Sequence, residues 1–354
     1  MQDAALTEPT STLGMPPALL EIERLSLRFG EGAEVLRQVS LHVRRGEIVA
    51  LVGESGCGKT LTALSILGLL PAAARTVGGR IELAGEGDLL RLDRARRRQI
   101  RAQRVSMIFQ EPMSALNPVL SIGFQITESL CTVRKVARAE ARERARELLS
   151  MVAMPDPERR LRSYPHQLSG GQLQRAMIAM ALASEPDLLL ADEPTTALDV
   201  TVQAQVIELL LDLRRRLELA VLLITHDLGV VAQCADRVLV MYCGQIVEEA
   251  TVEELFAQPA HPYTRALLRA VPRLDGGGSD LAGIPGRVPD PGELPGGCSF
   301  HPRCHEALDV CRQEAPGRLS AQGGAAAGTA DAQHLGRCWL LAENDPTSAP
   351  PEVD

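Results

Sequence analysis

Alternating and continuous apolar stretches along the chain predict strands that are separated by helical segments. Residues 19–29 alternate apolar and polar side chains, as a strand buried on one face does. Three shorter stretches, residues 47–52, 187–191 and 220–225, are almost wholly apolar, which is typical of strands buried on both faces. Because helical stretches separate these strands, the pattern predicts an α/β fold with a parallel sheet covered on both faces.

Two stretches are predicted to be helical and one to be a linker. Residues 59–70 follow the second strand, and residues 134–151 are rich in good helix formers. Residues 271–297 are dominated by Gly and Pro, which is typical of a linker. The predicted organisation is a disordered tail at 1–17, a main domain at 18–270 with a helical subdomain at about 111–168, the linker at 271–297, a small Cys-containing domain at 298–342 and a disordered tail at 343–354.

Composition then narrows the class of protein. The 354 residues are 45% hydrophobic, which is enough for a substantial core and excludes a wholly disordered chain. Aromatic residues make up 3% and the net charge is −8, so the sequence favours no nucleic-acid partner. No apolar run reaches the roughly 18 residues that cross a bilayer, and residues 1–17 lack the features of a secretory signal. The sequence therefore predicts a cytosolic protein whose cysteines are thiols or metal ligands.

The segment GESGCGKT, residues 53–60, lies between a predicted strand and a predicted helix and is called the phosphate loop below. It matches the pattern G-x-x-x-x-G-K-[ST], in which backbone N–H groups surround nucleotide phosphates and the following helix directs its positive end at them. Lys59 supplies charge to the outer phosphates, and the Thr60 hydroxyl can bind Mg²⁺. We interpret Cys57 as a tolerated small residue and not as a redox switch. The predicted nucleotide-binding residues of the loop are Gly53, Glu54, Ser55, Gly56, Cys57, Gly58, Lys59 and Thr60.

Two further segments add chemistry to the phosphate loop. Residues 188–193 form an apolar run ending in Asp192 and Glu193, which places one carboxylate at a phosphate-bound Mg²⁺ and a second where it can polarise water. Residues 168–172, LSGGQ, are called the signature segment below and form a second anion-binding cradle at a helix start. One nucleotide does not need two cradles from one protomer, so we expect this cradle to cover the nucleotide of a partner subunit. Its predicted binding residues are Ser169, Gly170, Gly171 and Gln172.

In this order the motifs resemble those of the ATP-binding cassette (ABC) ATPases of membrane transporters, over about residues 19–274. The resemblance implies an α/β phosphate-loop fold with a helical subdomain, and two ATP molecules bound with Mg²⁺ between head-to-tail subunits. It implies that Mg²⁺ is held by Thr60, Gln110 and Asp192. It also implies that Glu193 is the general base and that His226 touches the γ-phosphate.

Two further ATP-site residues are implied by the resemblance. Asp199, in TTALD, resembles the aspartate that communicates between the two ATP sites. Phe29 occupies the region of the adenine-stacking aromatic residue, which is usually Tyr in this family, and a core position is its alternative role.

Four cysteines gather near the end of the chain: Cys298, Cys304, Cys311 and Cys338. Their gaps are too wide for the paired C-x₂-C arrangement that is typical of zinc sites. Four thiolates can bind an iron–sulfur cluster as well as Zn²⁺, and four unconnected thiols are the remaining alternative.

The C-terminal part carries a narrower resemblance. Residues 261–274, HPYTRALLRAVPRL, and the later GCSFHPRC resemble the C-terminal extension of dipeptide, oligopeptide and nickel importer ATPases, in which four Cys are consistent with a [4Fe–4S] site. This sequence departs from that family at Leu173, where a polar or basic residue is usual, and in an Ala/Gly-rich insert before Cys338. The insert makes Cys338 the least certain ligand.

The resemblance implies that ATP hydrolysis drives uptake of di- or oligopeptides, with a nickel chelate, glutathione or another small solute as the alternative. The implied partners are a second, related ABC ATPase, two transmembrane permeases and an extracytoplasmic binding protein, at the cytoplasmic face of a bacterial inner membrane. A DNA-maintenance ATPase is disfavoured because the segment between Gln110 and the signature segment is too short for coiled-coil arms. A translation-associated protein would carry two cassettes, and Glu193 and His226 disfavour a nucleotide switch without turnover.

Overall fold

The computed structural model describes residues 17–196, 198–270, 283–321 and 334–342. Residues 1–16 and 343–354 of the predicted tails, residues 271–282 of the predicted linker and residues 322–333 of the predicted cysteine domain lie outside the described residues. The strands are β1 (Ala18–Phe29), β2 (Glu34–Arg44), β3 (Ile48–Val52), β4 (Ala74–Leu83), β5 (Gly87–Asp88), β6 (Val105–Ile108), β7 (Leu188–Asp192), β8 (Ala220–Thr225), β9 (Arg237–Tyr242), β10 (Gln245–Thr251), β11 (Leu319–Ser320) and β12 (Leu335–Gly336). The helices are α1 (Lys59–Leu67), α2 (Arg94–Gln103), α3 (Pro112–Ala115), α4 (Ile122–Ser129), α5 (Arg138–Met151), α6 (Pro157–Arg160), α7 (Gly170–Leu182), α8 (Val200–Leu217), α9 (Leu228–Cys234), α10 (Val252–Ala257), α11 (Pro262–Arg269) and α12 (Val310–Gln313).

The larger sheet is built around the apolar strands that the sequence predicts. Its order is β11-β12-β10-β9-β3-β8-β7-β6, in which β9, β3, β8, β7 and β6 run parallel to one another and β10 pairs antiparallel with β9. Every residue of β3, β7 and β8 is buried, because helices or the second sheet cover both faces. The predicted parallel sheet is therefore confirmed.

A second sheet of four antiparallel strands, in the order β2-β1-β4-β5, packs beside the first. The predicted strand at residues 19–29 is its strand β1, whereas its partners β2 and β4 were not predicted. Apolar side chains of β1 share one core cluster with α1 and with β8 of the larger sheet, including Leu25, Ile66 and Leu222.

Helices α3–α6 lie between β6 and α7, and apolar side chains of α3, α4 and α5 share one core cluster with α7 and α8. The predicted helix at residues 134–151 is wrong at its start, because a π turn at Leu130–Arg134 is followed by Lys135 with φ of 57°. That left-handed conformation cannot continue an α-helix, so α5 begins at Arg138. Likewise α1 ends at Leu67 and not at residue 70, because Gly68 takes φ of 61° and caps it.

The C-terminal segment, residues 283–321 and 334–342, lies against the edge of the larger sheet. Strand β12 pairs with β10, which extends that sheet. Phe300 packs among Tyr242 and Tyr263 in a third core cluster, with ring centroids 5.3 Å from each. In the part of the chain that the structure describes, no helix is long and apolar enough to cross a membrane.

Candidate nucleotide site

The predicted site residues meet at one edge of the larger sheet. The phosphate loop follows β3, Gln110 follows β6, Glu193 follows β7 and His226 follows β8. These four strands are neighbours and run parallel, so their carboxyl ends place all four segments side by side.

The phosphate loop is held in a conformation that its glycines permit. Gly53 and Gly58 have φ of 152° and 108°. A Cβ atom on Gly53 would lie 2.1 Å from the Met241 carbonyl oxygen, and one on Gly58 would lie 2.6 Å from Leu36. A side chain at either position would therefore displace the loop from the sheet.

Lys59 lies across the phosphate loop. Its ammonium donates to the carbonyl oxygens of Gly53, at 2.7 Å, and Glu54, at 3.0 Å, and the residue is 6% exposed. Burial raises the pKa of the neighbouring Cys57 thiol, which agrees with a small packing residue rather than a reactive thiolate. The phosphate loop thus places one buried cation, Lys59, where it can bind an anion.

A hydroxyl and a carboxylate suited to Mg²⁺ lie next to each other. Thr60 Oγ1 is 3.3 Å from Asp192 Oδ1 and donates to it. Asp192 is buried, and burial raises the pKa of its carboxyl. These two oxygens fit a cation that takes one or two protein ligands and completes its shell with phosphate and water.

Glu193 receives three side-chain contacts. Gln110 Nε2 and Thr196 Oγ1 donate to its Oε2 at 3.0 and 2.9 Å, and His226 Nδ1 lies 3.2 Å from its Oε1. The Glu193 backbone has φ of 47°, and its N–H donates to the Ile224 carbonyl at 2.8 Å, which aims the carboxylate out of the sheet edge. The arrangement orients a carboxylate that can accept a proton.

Thr196 was missed by the sequence analysis. The only signal was a hydroxyl three residues after Glu193, and such pairs are common at helix starts and turns.

The signature segment forms the start of α7. Ser169 is the N-cap, and it exchanges hydrogen bonds with Gln172 in a capping box at 3.3 and 3.4 Å. A Cβ atom on Gly171 would lie 2.6 Å from Val202 Cγ1, so this glycine lets α7 approach α8. Ser169 and Gly170 are exposed.

Asp199 and Phe29 have local structural roles. Asp199 caps α8, because its side chain accepts the Val202 N–H at 2.9 Å. Phe29 is half-buried at the end of β1 and packs in part against the core cluster of the second sheet. Its predicted stacking on adenine stays a prediction.

Helix α11 and the C-terminal segment each contribute one contact to the phosphate loop that the sequence analysis did not anticipate. The Glu54 N–H donates to the Tyr263 hydroxyl at 2.9 Å, and Arg303 binds the Glu54 carboxylate. No local pattern relates residues so far apart in the chain.

The four C-terminal cysteines are half-buried or buried. The Cys298 N–H donates to the Cys311 carbonyl at 2.8 Å. Burial, with the other three thiols adding to it, raises the pKa of Cys338 to about 12. Among the residues that the structure describes, no group of three or more His, Cys, Asp or Glu side chains is arranged to hold a metal ion.

Family models match two parts of the chain: that of ABC transporters at residues 36–196, and that of the oligopeptide/dipeptide transporter C-terminal region at residues 247–311. The oligopeptide transport ATP-binding protein AppD of Bacillus subtilis is 51% identical over 310 residues, 86% of this chain and 94% of that protein. The dipeptide transport ATP-binding protein DppD of Escherichia coli is 48% identical over 302 residues, 84% of this chain and 92% of that protein.

Two solved structures share the fold. The ATP-binding cassette MJ0796, as a post-hydrolysis dimer with ADP and Pi, superposes with a TM-score of 0.59 at 28% identity, covering 66% of this chain and 98% of that one. CbiO1 of Clostridium perfringens superposes with a TM-score of 0.61 at 26% identity, covering 68% and 91%. The predicted fold is confirmed, whereas a separate C-terminal cysteine domain stays a prediction.

Proposed function

Because the chain belongs to the ABC transporter ATP-binding family, we propose that it is the ATP-hydrolysing subunit of an importer of di- or oligopeptides. The observation that carries the ATPase assignment is the carboxylate of Glu193, oriented by Gln110, Thr196 and His226 beside the pair Thr60–Asp192. The peptide assignment is supported by the similarity of residues 247–311 to the oligopeptide/dipeptide C-terminal region and by the two bacterial relatives.

In the proposed reaction, Glu193 accepts the proton of the water that attacks the γ-phosphate. Gln110 and Thr196 fix one carboxylate oxygen, which leaves the other oxygen directed toward His226 and the site. Lys59 and the N–H groups of the phosphate loop hold the phosphates in line. Mg²⁺, when bound through Thr60, Gln110 and Asp192, supplies positive charge to the phosphate oxygens.

The proposed site is completed by a second ATPase subunit. Ser169, Gly170 and Gly171 are placed at an exposed helix start, where they can bind the γ-phosphate of a nucleotide held by the partner. We propose a related but different ATPase as that partner, with ATP binding closing the dimer and hydrolysis opening it. The pair would act on two permeases supplied by an extracytoplasmic binding protein, at the cytoplasmic face of the inner membrane.

The substitution Glu193→Gln tests the ATPase proposal. It keeps the shape of the side chain and removes the proton acceptor, so we expect steady-state hydrolysis to fall about 100-fold or more while ATP binding persists. Analytical ultracentrifugation should detect a dimer trapped by ATP. Unchanged hydrolysis would remove Glu193 from the mechanism.

The same variant tests the transport proposal. A cell that lacks this chain should take up labelled di- and oligopeptides only when the wild-type chain is restored, and the Glu193→Gln chain should fail to restore uptake. Normal peptide uptake without the chain, combined with lost uptake of a nickel chelate or glutathione, would favour the alternative substrate.

We also propose that Cys298, Cys304, Cys311 and Cys338 bind a [4Fe–4S] cluster. A single Zn²⁺ needs four sulfurs within bonding distance of one centre, at about 2.3 Å each. Among the described residues no such group is found, whereas the thiols of Cys298, Cys304 and Cys311 contribute to the raised pKa of Cys338, which supports a shared neighbourhood for the four. Four thiolates can hold a [4Fe–4S] cluster, in which each cysteine binds a different iron.

Anaerobically purified protein tests the cluster. It should be brown and contain about four iron atoms per chain, and the Cys311→Ser variant should lose most of this iron. Colourless protein with one zinc per chain would contradict the cluster and support the alternative metal.

A further inference from the structure

Arg303 of the C-terminal segment binds the second residue of the phosphate loop. Its Nη1 donates to Glu54 Oε2 at 2.8 Å and its Nη2 donates to Glu54 Oε1 at 3.0 Å. Two parallel charge-assisted hydrogen bonds are the strongest geometry available to an Arg–carboxylate pair.

The guanidinium of Arg303 is fixed by its surroundings and not only by Glu54. The side chain is 4% exposed, its Nε donates to the Pro285 carbonyl at 2.9 Å, and its Cζ lies 5.8 Å from the centre of the Tyr242 ring. The hydrogen bonds that Arg303 donates to Glu54 raise the pKa of Arg303 further above its ordinary range, so the group is a permanent cation. The pair is therefore a specific, largely buried contact between two distant parts of the chain, unlike an exposed surface ion pair.

The position of Glu54 gives this contact a consequence for the nucleotide. The Glu54 carbonyl accepts from Lys59 at 3.0 Å, so the Glu54 carboxylate belongs to the same turn as the cation that meets the phosphates. Without Arg303, a carboxylate that is 27% exposed would stand beside the phosphate-binding loop and repel an incoming anion. The Tyr263 hydroxyl holds the Glu54 N–H at 2.9 Å, so this turn is anchored through both backbone and side chain.

We propose that Arg303 is a positioning residue of the nucleotide site, which neutralises Glu54 and thereby makes ATP affinity depend on the docked C-terminal segment. This inference rests on the proposed ATPase function and deepens it. It assigns to the C-terminal segment an electrostatic role at the phosphate loop, which acts through the carboxylate of Glu54.

The first test is the ATP dissociation constant of the full-length Arg303→Met variant. Met keeps much of the packing volume and removes the charge, so we expect ATP to bind about tenfold more weakly, as an uncompensated charge within several Å predicts. The KM for ATP should rise by a similar factor, whereas kcat at saturating ATP should stay within about twofold. Unchanged ATP affinity would overturn the inference.

The double variant Glu54→Gln with Arg303→Met separates charge from folding. If Arg303 acts by cancelling the Glu54 charge, removing both charges should restore most of the ATP affinity that the Arg303→Met variant loses. Affinity as weak as in the Arg303→Met variant would mean that damage to the C-terminal segment, and not charge, causes the loss, and would overturn the inference.

A matched control joins α11 to the same C-terminal segment. Arg265 binds Glu306 at 3.0 Å, away from Glu54, so Arg265→Met breaks a second ion pair of this segment and should leave ATP affinity unchanged. If Arg303→Met does not fold, Arg303→Lys replaces it: the retained charge should keep affinity within about threefold, and a tenfold loss would overturn charge compensation.

Wild-type protein that binds no ATP would contradict the proposed function itself, whereas wild-type binding that the variants leave unaltered contradicts only the role of Arg303.

Discussion

The phosphate loop and the signature segment are both predicted to bind phosphate at a helix start, but only the phosphate loop is enclosed by its own chain. Lys59 of the phosphate loop is 6% exposed, and β2, β9, α11 and the C-terminal segment contact the loop. Ser169 of the signature segment is exposed, and the nearby Val200 is 84% exposed. The difference agrees with the proposal that one protomer supplies the phosphate-binding part of a site and that a second subunit covers it.

The largest effect should follow from removing the cation of the enclosed cradle. Lys59→Met removes the charge and leaves the loop glycines in place, so we expect the affinity of the monomer for ATP to fall about 100-fold, as loss of a charged hydrogen-bond donor predicts. Equilibrium binding of a fluorescent ATP analogue to the monomer measures it. Affinity within a few-fold of the wild type would show that the phosphate loop does not hold the phosphates as proposed.

A smaller effect, confined to the dimer, should follow from Ser169→Ala. The monomer should bind ATP with unchanged affinity, and hydrolysis by the two-subunit enzyme should fall about tenfold, because one hydroxyl is lost from the γ-phosphate. Loss of the N-cap also costs about 1 kcal/mol of helix stability. Ser121→Ala controls for that cost, since Ser121 caps α4 through the Phe124 N–H in the same way. Equal losses of hydrolysis in both variants would assign the effect to capping.

The smallest effect concerns the pH dependence of Mg²⁺ binding beside the phosphate loop. Burial raises the pKa of Asp192, and Mg²⁺ needs the deprotonated carboxylate. Apparent Mg²⁺ affinity should therefore fall as the pH is lowered, and it should begin to fall at a higher pH than an ordinary Asp predicts. We expect a loss of about threefold from about pH 7.5 to about pH 5.5.

Mg²⁺ titrations of ATP binding at several pH values measure this dependence. The Asp192→Asn variant lacks the titrating carboxyl, whereas ATP itself still titrates. The apparent Mg²⁺ affinity of this variant should therefore change less with pH than that of the wild type. The same pH dependence in both proteins would contradict the role given to Asp192.

The nucleotide site was predictable from the sequence to the extent that its parts are local. The phosphate loop, the pair Asp192–Glu193 and the signature segment each combine turn chemistry with an adjacent apolar strand or helix, and those features lie within a few residues. The strands at residues 187–191 and 220–225 were likewise found within one residue of their ends, since a strand buried on both faces has an unmistakable composition.

The sequence by itself determined which chemical groups the site carries and where the central parallel strands lie. Turn residues and the spacing of apolar side chains are local features, so they are encoded over short distances. Only the tertiary structure decided which residues hold that chemistry in place. The Thr196 hydroxyl donates to Glu193, β1 pairs with β2 and β4, and Arg303 binds Glu54. Such contacts depend on how distant surfaces bury one another and satisfy their charges, and no local pattern in the chain specifies that outcome.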